Sequence, residues 1–524
     1  MQRLTALCLA SLLCVPLAPA QNHVLNSTFD SGPLLAVDRG STGLWQQLQK
    51  LSTTASMLHT VAHPDDEHAG LLAYLSRGVE ARVALMSINR GEAGANAIGS
   101  ELFDGLGLIR TEELRRSGRY YRLDDLYFSS TLDYGYSKTL DESLRSWDVD
   151  QVLSDMVRII RMNRPLVVIS RFHGSLRDGH GNHQAMGQMT PEAVAAAADP
   201  ERFPEQIAEE GLRPWRVPKL YRGGVRANEP WNINFAAGQY SPWLGDSYYN
   251  FGTYGLSLQR SQTSGRTRTS LGPVPYYYER LSEPGPGPES GFFNGLDVTI
   301  GGLFELTGEV PPEGAGELLL AIAGHVQRAL TEVRPGRPAD VVGDLTGGLA
   351  RTRELLALLP EDSESAFMLK IKEQQFQHAI ATALGLTFTA IAQPTGTPPA
   401  VSFWQAPATM GSVVRGQSFE VDARLYVPTD IAVDEVVLSL SDPTGLPQEA
   451  WQTAGDVRQT DPFHQVVFST TVPGDAVYAR PYYFRNSVKE NHYQLREPRW
   501  IHRPTRPAGG GPPERPGGPG TSGA

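Results

Sequence analysis

Residues 62–70 read AHPDDEHAG and bring His63, Asp65, Asp66, Glu67 and His68 together at the end of the apolar run MLHTVA. Residues 178–184 read DGHGNHQ, with His180 and His183 three apart, after the apolar run LVVIS and the loop RFHGSLR. Imidazoles and carboxylates at two strand ends suit a divalent metal: a catalytic zinc takes three N or O ligands and keeps one position open. His63 and Asp66, separated by Pro64-Asp65, can turn two donors toward one point, and His183 supplies a third. Such a site lowers the pKa of water at its open position and polarises a carbonyl. Asp65 is then free to act as general base, and His180 to stabilise an oxyanion or protonate a leaving amine. Either signal alone is weak, since a DDE run is usually a solvated turn and HxxH pairs arise by accident. Each lies at the carboxyl end of an expected strand, and that coincidence gives the pair its weight.

The elements that must position these residues are short apolar runs alternating with helical patterns. The runs cover 57–62, 81–88, 124–130, 164–170 and 218–223; the helical patterns cover 69–78, 108–123, 149–163 and 183–198. This alternation predicts an α/β fold, a Rossmann-like, mostly parallel sheet with helices on both faces. Ligands of such sheets bind outside the carboxyl ends of the strands, where both clusters fall. Residues 214–288 are rich in Gly, Pro and aromatics, including Trp231, Trp243 and Tyr276 to Tyr278, and read as long ordered loops. Their rings suit a sugar face or a secondary core equally.

Beyond the α/β domain, set at 21–300, the pattern is helical over 301–392, with SAFMLKIKEQQFQHAIATALGLTFTAIA read as one such stretch. A C-terminal β-sandwich is expected over 401–502 from the runs SVVRGQSFEVDARLYV, VDEVVLSLSD, FHQVVFSTTV and YARPYYFRN. The Gly/Pro-rich tail, 503–524, lacks the composition to fold. Residues 1–20 combine Arg3, an apolar stretch from Leu4 to Leu17 and Ala18-Pro19-Ala20, the pattern of a cleaved signal peptide. Secretion or delivery to a periplasm follows as an expectation, with no stable membrane span. Both cysteines, Cys8 and Cys14, lie in that segment, so any metal site after cleavage uses His, Asp and Glu. The formal charge of −11, from 46 Lys+Arg against 57 Asp+Glu, argues against nucleic acid and favours a neutral or cationic substrate. Oligomeric state leaves no mark in the sequence.

AHPDDE followed by HGNH resembles the PIG-L/LmbE-like family of zinc-dependent N-acetylglucosaminyl de-N-acetylases, in particular its long secreted subgroup. NRGEAGAN (89–96), LGLIRTEEL (106–114) and LDYGYSKT (132–139) carry the likeness further, over roughly Thr54 to Tyr221. The resemblance implies Zn²⁺, or another divalent metal, on His63, Asp66 and His183, with Asp65 as base and His180 in the oxyanion or acid role. It implies that Arg110 reaches substrate hydroxyls or phosphate; the alternative is a helix arginine paired with Glu113. Arg90 and Glu92 are expected on the same rim as substrate-binding residues, and Glu67 as a support for the loop. Many members carry an acid where this chain has Asn182, and Asp178 is the candidate to compensate. His59 reads as a core histidine and His68 as a neighbour of the metal. The implied function is removal of an N-acetyl group from an amino sugar or its conjugate, a small molecule or glycan. A metal-dependent amidase or esterase on a non-sugar substrate, and a non-catalytic carbohydrate-binding protein, are the competing readings.

Overall fold

The computed structural model describes residues 35–283, 288–398, 408–428, 436–438, 458–460, 463–476 and 481–495. The expected signal peptide, the tail and most of VDEVVLSLSD lie outside the described residues. Two compact units result, one joining His23–Ala379 with Tyr482–Thr505, the other including Ile380–Pro481.

The larger unit is built on a seven-stranded sheet. Helix α1 (Gly40–Leu51) leads into β1 (Ser56–Val61), α2 (Ala69–Arg77), β2 (Arg82–Ser87), α3 (Asp104–Tyr121) and β3 (Asp125–Phe128). Then come α4 (Leu140–Ser146), α5 (Val149–Asn163), β4 (Val167–Ser170), α6 (Gly181–Ala198) and β5 (Lys219–Val225). Next are β6 (Ile233–Ala236), α7 (Tyr248–Leu256) and β7 (Pro275–Arg280). The strand order is β3-β2-β1-β4-β5-β7-β6, parallel from β3 to β5 and antiparallel at β7 and β6. Every residue of β1, β2 and β4 is buried, as expected for strands covered on both faces. The five expected strands and four expected helices are all present. The aromatic region differs from the loops anticipated: β6, α7 and β7 lie within it, and Tyr276 and Tyr278 extend the sheet. Dense Gly and Pro on either side hide those short elements from a periodicity argument.

Helices α8 (Ala315–Glu332), α9 (Val342–Ala357) and α10 (Glu364–Ala383) follow. The helix read through to Ala392 stops at Ala383. Gly385, at φ +66°, ends it, with Leu386 N–H donating to Ala381 O and Gly385 N–H to Thr382 O, the paired bonds of a Schellman motif. Strand β8 (Thr387–Pro394) starts at once and pairs antiparallel with β9 (Ser418–Tyr426). In the smaller unit the order is β8-β9-β11-β10, with β10 at Arg458–Thr460 and β11 at Phe463–Thr471. Among the described residues this unit holds one antiparallel sheet; the second sheet of a sandwich is not among them. The described part of YARPYYFRN, from Pro481 on, does not join it. Tyr483–Phe484 (β12) pairs with Gln494–Leu495 (β13) in the larger unit, where Tyr493 N–H donates to Ser130 O and Leu132 N–H to Asn491 O.

His59 shows how the centre of the sheet constrains its polar groups. Its ring is fully buried, Nδ1 lies 2.8 Å from Ile169 O, and Nε2 accepts from His68 N–H at 3.2 Å. Only the neutral Nδ1–H tautomer satisfies both bonds. Burial accordingly pushes its pKa down to about 3, against an unfolded value near 6.5. Between those limits the unfolded chain binds the extra proton, so stability present above pH 6.5 is lost as pH falls. Chemical denaturation should therefore show wild type losing about 2 kcal/mol more than His59→Gln between pH 7 and pH 5; parallel pH profiles would contradict this.

Candidate metal centre

The chain leaves β1 at Val61 and turns sharply through Pro64. Asp66 N–H returns to His63 O at 3.3 Å, and Asp66 Oδ2 accepts from His63 N–H at 2.8 Å. Asp65 takes φ +92°, which a short polar side chain tolerates best among non-glycine residues. Its N–H donates to Glu67 Oε2 at 3.0 Å. Glu67 Oε1 accepts from Tyr121 Oη at 3.0 Å and Gln259 Nε2 at 2.6 Å. Glu67 thus fastens the turn from beneath, the supporting role expected of it, and burial raises its pKa to about 7.

The three candidate ligands converge. His63 Nδ1 lies 3.0 Å from Asp66 Oδ2, His183 Nε2 lies 3.2 Å from Asp66 Oδ1, and one donor atom from each residue falls within 4.8 Å of the others. Burial alone would raise the Asp66 carboxyl, but the His183 and His63 rings hold it well below the usual carboxylate range. His183 is oriented from two sides. Its ring stacks on Phe172 at 4.1 Å, and Nδ1 lies 3.2 Å from Asp178 O, which fixes hydrogen there and leaves Nε2 as a lone-pair donor. Two imidazoles and a carboxylate, with a carbonyl behind one ring, match what zinc accepts at catalytic sites.

His180 stands beside them, its ring 5.0 Å from His63 and 4.9 Å from His183. As N-cap of α6 its Nδ1 accepts from Asn182 N–H at 3.1 Å, so in the neutral ring Nε2 carries the proton. Burial, with the two neighbouring rings adding to it, lowers its pKa to about 4. It is a neutral hydrogen-bond donor at pH 7. Tyr136, exposed, lies edge-on to it at 4.9 Å.

Arg110 turns toward the loop that carries Asp65. It is buried, does not pair with Glu113, and donates to Asp65 Oδ1 at 3.0 Å, Pro64 O at 2.5 Å and Gly91 O at 3.1 Å. Glu113 accepts instead from Ser261 N–H and Oγ. Burial raises the Asp65 carboxyl and Arg110 opposes that rise. Arg90 and Glu92 also sit beneath the rim rather than on it. The Arg90 guanidinium is 1% exposed, 4.4 Å from the Phe128 ring and 3.6 Å from that of Tyr483, and donates to Thr111 Oγ1 and Tyr482 Oη. Glu92 is 2% exposed, and its Oε2 accepts from Arg90 N–H and Asp133 N–H at 3.1 Å each.

Asp178 does not compensate for Asn182, because its carboxylate accepts from His173, Gly174 and Ser175 N–H and is spent on its own loop. Asp133 is the acid at hand, with Oδ1 at 3.5 Å from Asn182 Nδ2, and Asn182 Nδ2 lies 3.1 Å from His63 Nε2. Asp133 sits in LDYGYSKT after the third strand; its place at a strand's carboxyl end is the one signal that singles it out. A carboxylate at 182 would face Asp133 directly, which gives the amide a physical reason. His68 is buried, with Nδ1 bonded to the Tyr278 hydroxyl. If Asn182 orients His63, Asn182→Leu should weaken Zn²⁺ affinity by about 10–100-fold in a calorimetric titration, and His183→Ala should abolish high-affinity binding; unchanged affinity in both would remove the site.

Residues 58–194 match the family described as PIG-L: GlcNAc-PI de-N-acetylase. The chain is 32% identical over 182 residues to the 1D-myo-inositol 2-acetamido-2-deoxy-alpha-D-glucopyranoside deacetylase 2 of Saccharopolyspora erythraea, covering 30% of this chain and 62% of that protein. It is 31% identical over 201 residues to the corresponding deacetylase of Kineococcus radiotolerans, covering 33% and 53%. The chain therefore spans less than two thirds of the length of these relatives. Among solved structures, the N,N'-diacetylchitobiose deacetylase from Pyrococcus horikoshii aligns at 20% identity with a TM-score of 0.31, over 40% of this chain and 71% of that one. The segment that carries His63, Asp66 and His183 is thus the part of the chain similar to the PIG-L family.

Proposed function

We propose that this chain is an exported, metal-dependent hydrolase that removes an N-acetyl group from an amino sugar or its conjugate. The observation that carries this reading is the convergence of His63, Asp66 and His183 within 4.8 Å, flanked by a carboxylate and a neutral imidazole that are not ligands. The metal, held by those three side chains, supplies Lewis acidity. Asp65, kept ionised by Arg110, takes a proton from the attacking water as its oxygen bonds to the acetyl carbon. His180 Nε2–H donates to the carbonyl oxygen as charge develops there. The proton held by Asp65 passes to the nitrogen as the C–N bond breaks, and acetate and a free amine leave. Export rests on the composition of residues 1–20 and is tested by the N-terminal sequence of protein recovered from the producing cells.

The amidase or esterase reading needs the same atoms and differs only in substrate. A purely binding protein would take up the same sugars without releasing acetate. Acetate release from N-acetylglucosamine and its conjugates, with and without chelator, tests the proposal. Asp65→Asn should lower kcat by about 10²–10⁴-fold while Zn²⁺ affinity stays within about threefold, because Asp65 is not a ligand. Full turnover in this variant, or turnover indifferent to chelation, would sink the mechanism.

A further inference from the structure

Beside the metal centre lies a cavity of about 250 Å³ that neither the ligands nor Asp65 enter. Arg171, directly after β4, forms one wall. Its Nε donates to the backbone oxygen of Asp66 at 2.8 Å, so the cavity adjoins the turn that carries a ligand. The neighbouring arginines have their own partners, Arg222 with Glu279 at 2.6 Å and Arg177 with Glu229 at 2.6 Å. Arg171 is half-buried, and among the described residues no carboxylate comes within ion-pair distance of it. A guanidinium offers five N–H donors in a fork that matches carboxylate or phosphate.

The other walls leave room for a ligand rather than filling the space. Tyr276 and Tyr277 present rings, Tyr276 backed by His68 at 3.8 Å and Tyr277 by Trp231 at 5.5 Å. Between Arg222 and Val225 the pairing of β5 with β7 slips, and Gly223-Gly224 form that irregularity. A Cβ on Gly223 would meet Arg171 O at 2.8 Å; Gly224 has φ +69° and its Cβ would press on that of His173 at 3.2 Å. Glycine here keeps the floor bare, a common use of bulges beside active sites. The volume is below the ~300–1,000 Å³ of pockets that enclose a whole drug-sized ligand, so it suits one part of a substrate.

We propose that this cavity is an anion subsite of the same centre, in which Arg171 grips a carboxylate or phosphate borne by the amino-sugar substrate while its linking atoms lie against Tyr276 and Tyr277. The identity of the sugar rests on the de-N-acetylase reading; the anion does not. With a net charge of −11 the chain as a whole repels anions, so selection for one must be local. This replaces the neutral or cationic substrate favoured by composition alone.

The test is calorimetric binding of glucosamine, glucosamine 1-phosphate, glucosamine 6-phosphate and muramic acid to the full chain, which separates phosphate from carboxylate. At least one charged sugar should bind about tenfold or more tighter than glucosamine, with that advantage removed in Arg171→Gln and reduced as NaCl rises from about 0.05 to 0.5 M. Equal affinity for charged and uncharged sugars, or an advantage retained in Arg171→Gln, overturns the proposal. If that variant does not fold, wild type decides: a preference indifferent to salt overturns the subsite. Acetate release from the N-acetylated forms of the same four compounds is measured in parallel. No release with an intact charge preference overturns the deacetylase reading and supports the subsite; release without any charge preference does the reverse.

Discussion

Four residues of β1 pair in parallel with four of β4, Met57–Thr60 against Val167–Ser170, and the chemistry at the rim depends on that register. The two strands end side by side, so the turn holding His63 and Asp66 and the loop leading to His183 emerge as neighbours although they are distant in sequence. A slip of one residue would turn every strand side chain to the opposite face. The loop after β4 is then held against α6 with no slack. A Cβ on Gly187 would lie 2.2 Å from Gly174 N and 2.5 Å from Gly174 Cα, so the helix carrying His183 rests directly on that loop's backbone.

Adjacent acids in one turn would repel if they shared an environment. The structure separates them instead. Asp66 faces two imidazoles, Asp65 faces Arg110, and Glu67 turns inward to Tyr121 and Gln259. Each meets a partner of a different kind, and only that of Asp66 outweighs burial, so three carboxylates in sequence acquire three electrostatic settings. Dividing neighbouring titratable groups in this way is how one site can hold a ligand and a base side by side.

How much of this was legible beforehand follows from where the information lies. β1 to β5 and the helices between them repeat with clear periods and were readable. His63, Asp66 and His183 were readable because their spacing is local and each group closes an apolar run. Side-chain direction was not. Arg110 and Arg90 lie in segments that reach the rim, and nothing in the sequence says that one turns to Asp65 while the other turns inward. LTFTAIA carries apolar residues at spacings that serve helix or strand, and the left-handed Gly385 decides. Asp178 misled through proximity: it is near His180 in sequence, whereas Asp133 is near Asn182 in space.

The least legible feature is the return of the chain's far end. Tyr482, Tyr483 and Tyr493 form a buried cluster with Leu132, and Tyr482 accepts from Arg90. Desolvating a guanidinium is costly unless its donors and its π-faces find partners; Thr111 and Tyr482 accept from its two terminal nitrogens, and the rings of Phe128 and Tyr483 lie against it. From Arg90 the contacts run on without a gap. Glu92 accepts the Arg90 and Asp133 amides, Asp133 approaches Asn182, and Asn182 meets His63. A segment hundreds of residues downstream is therefore joined, bond by bond, to the imidazole that opens the metal centre. The expected place of YARPYYFRN in a separate β-domain misses this because a strand pattern records that a segment will pair, and leaves open with what.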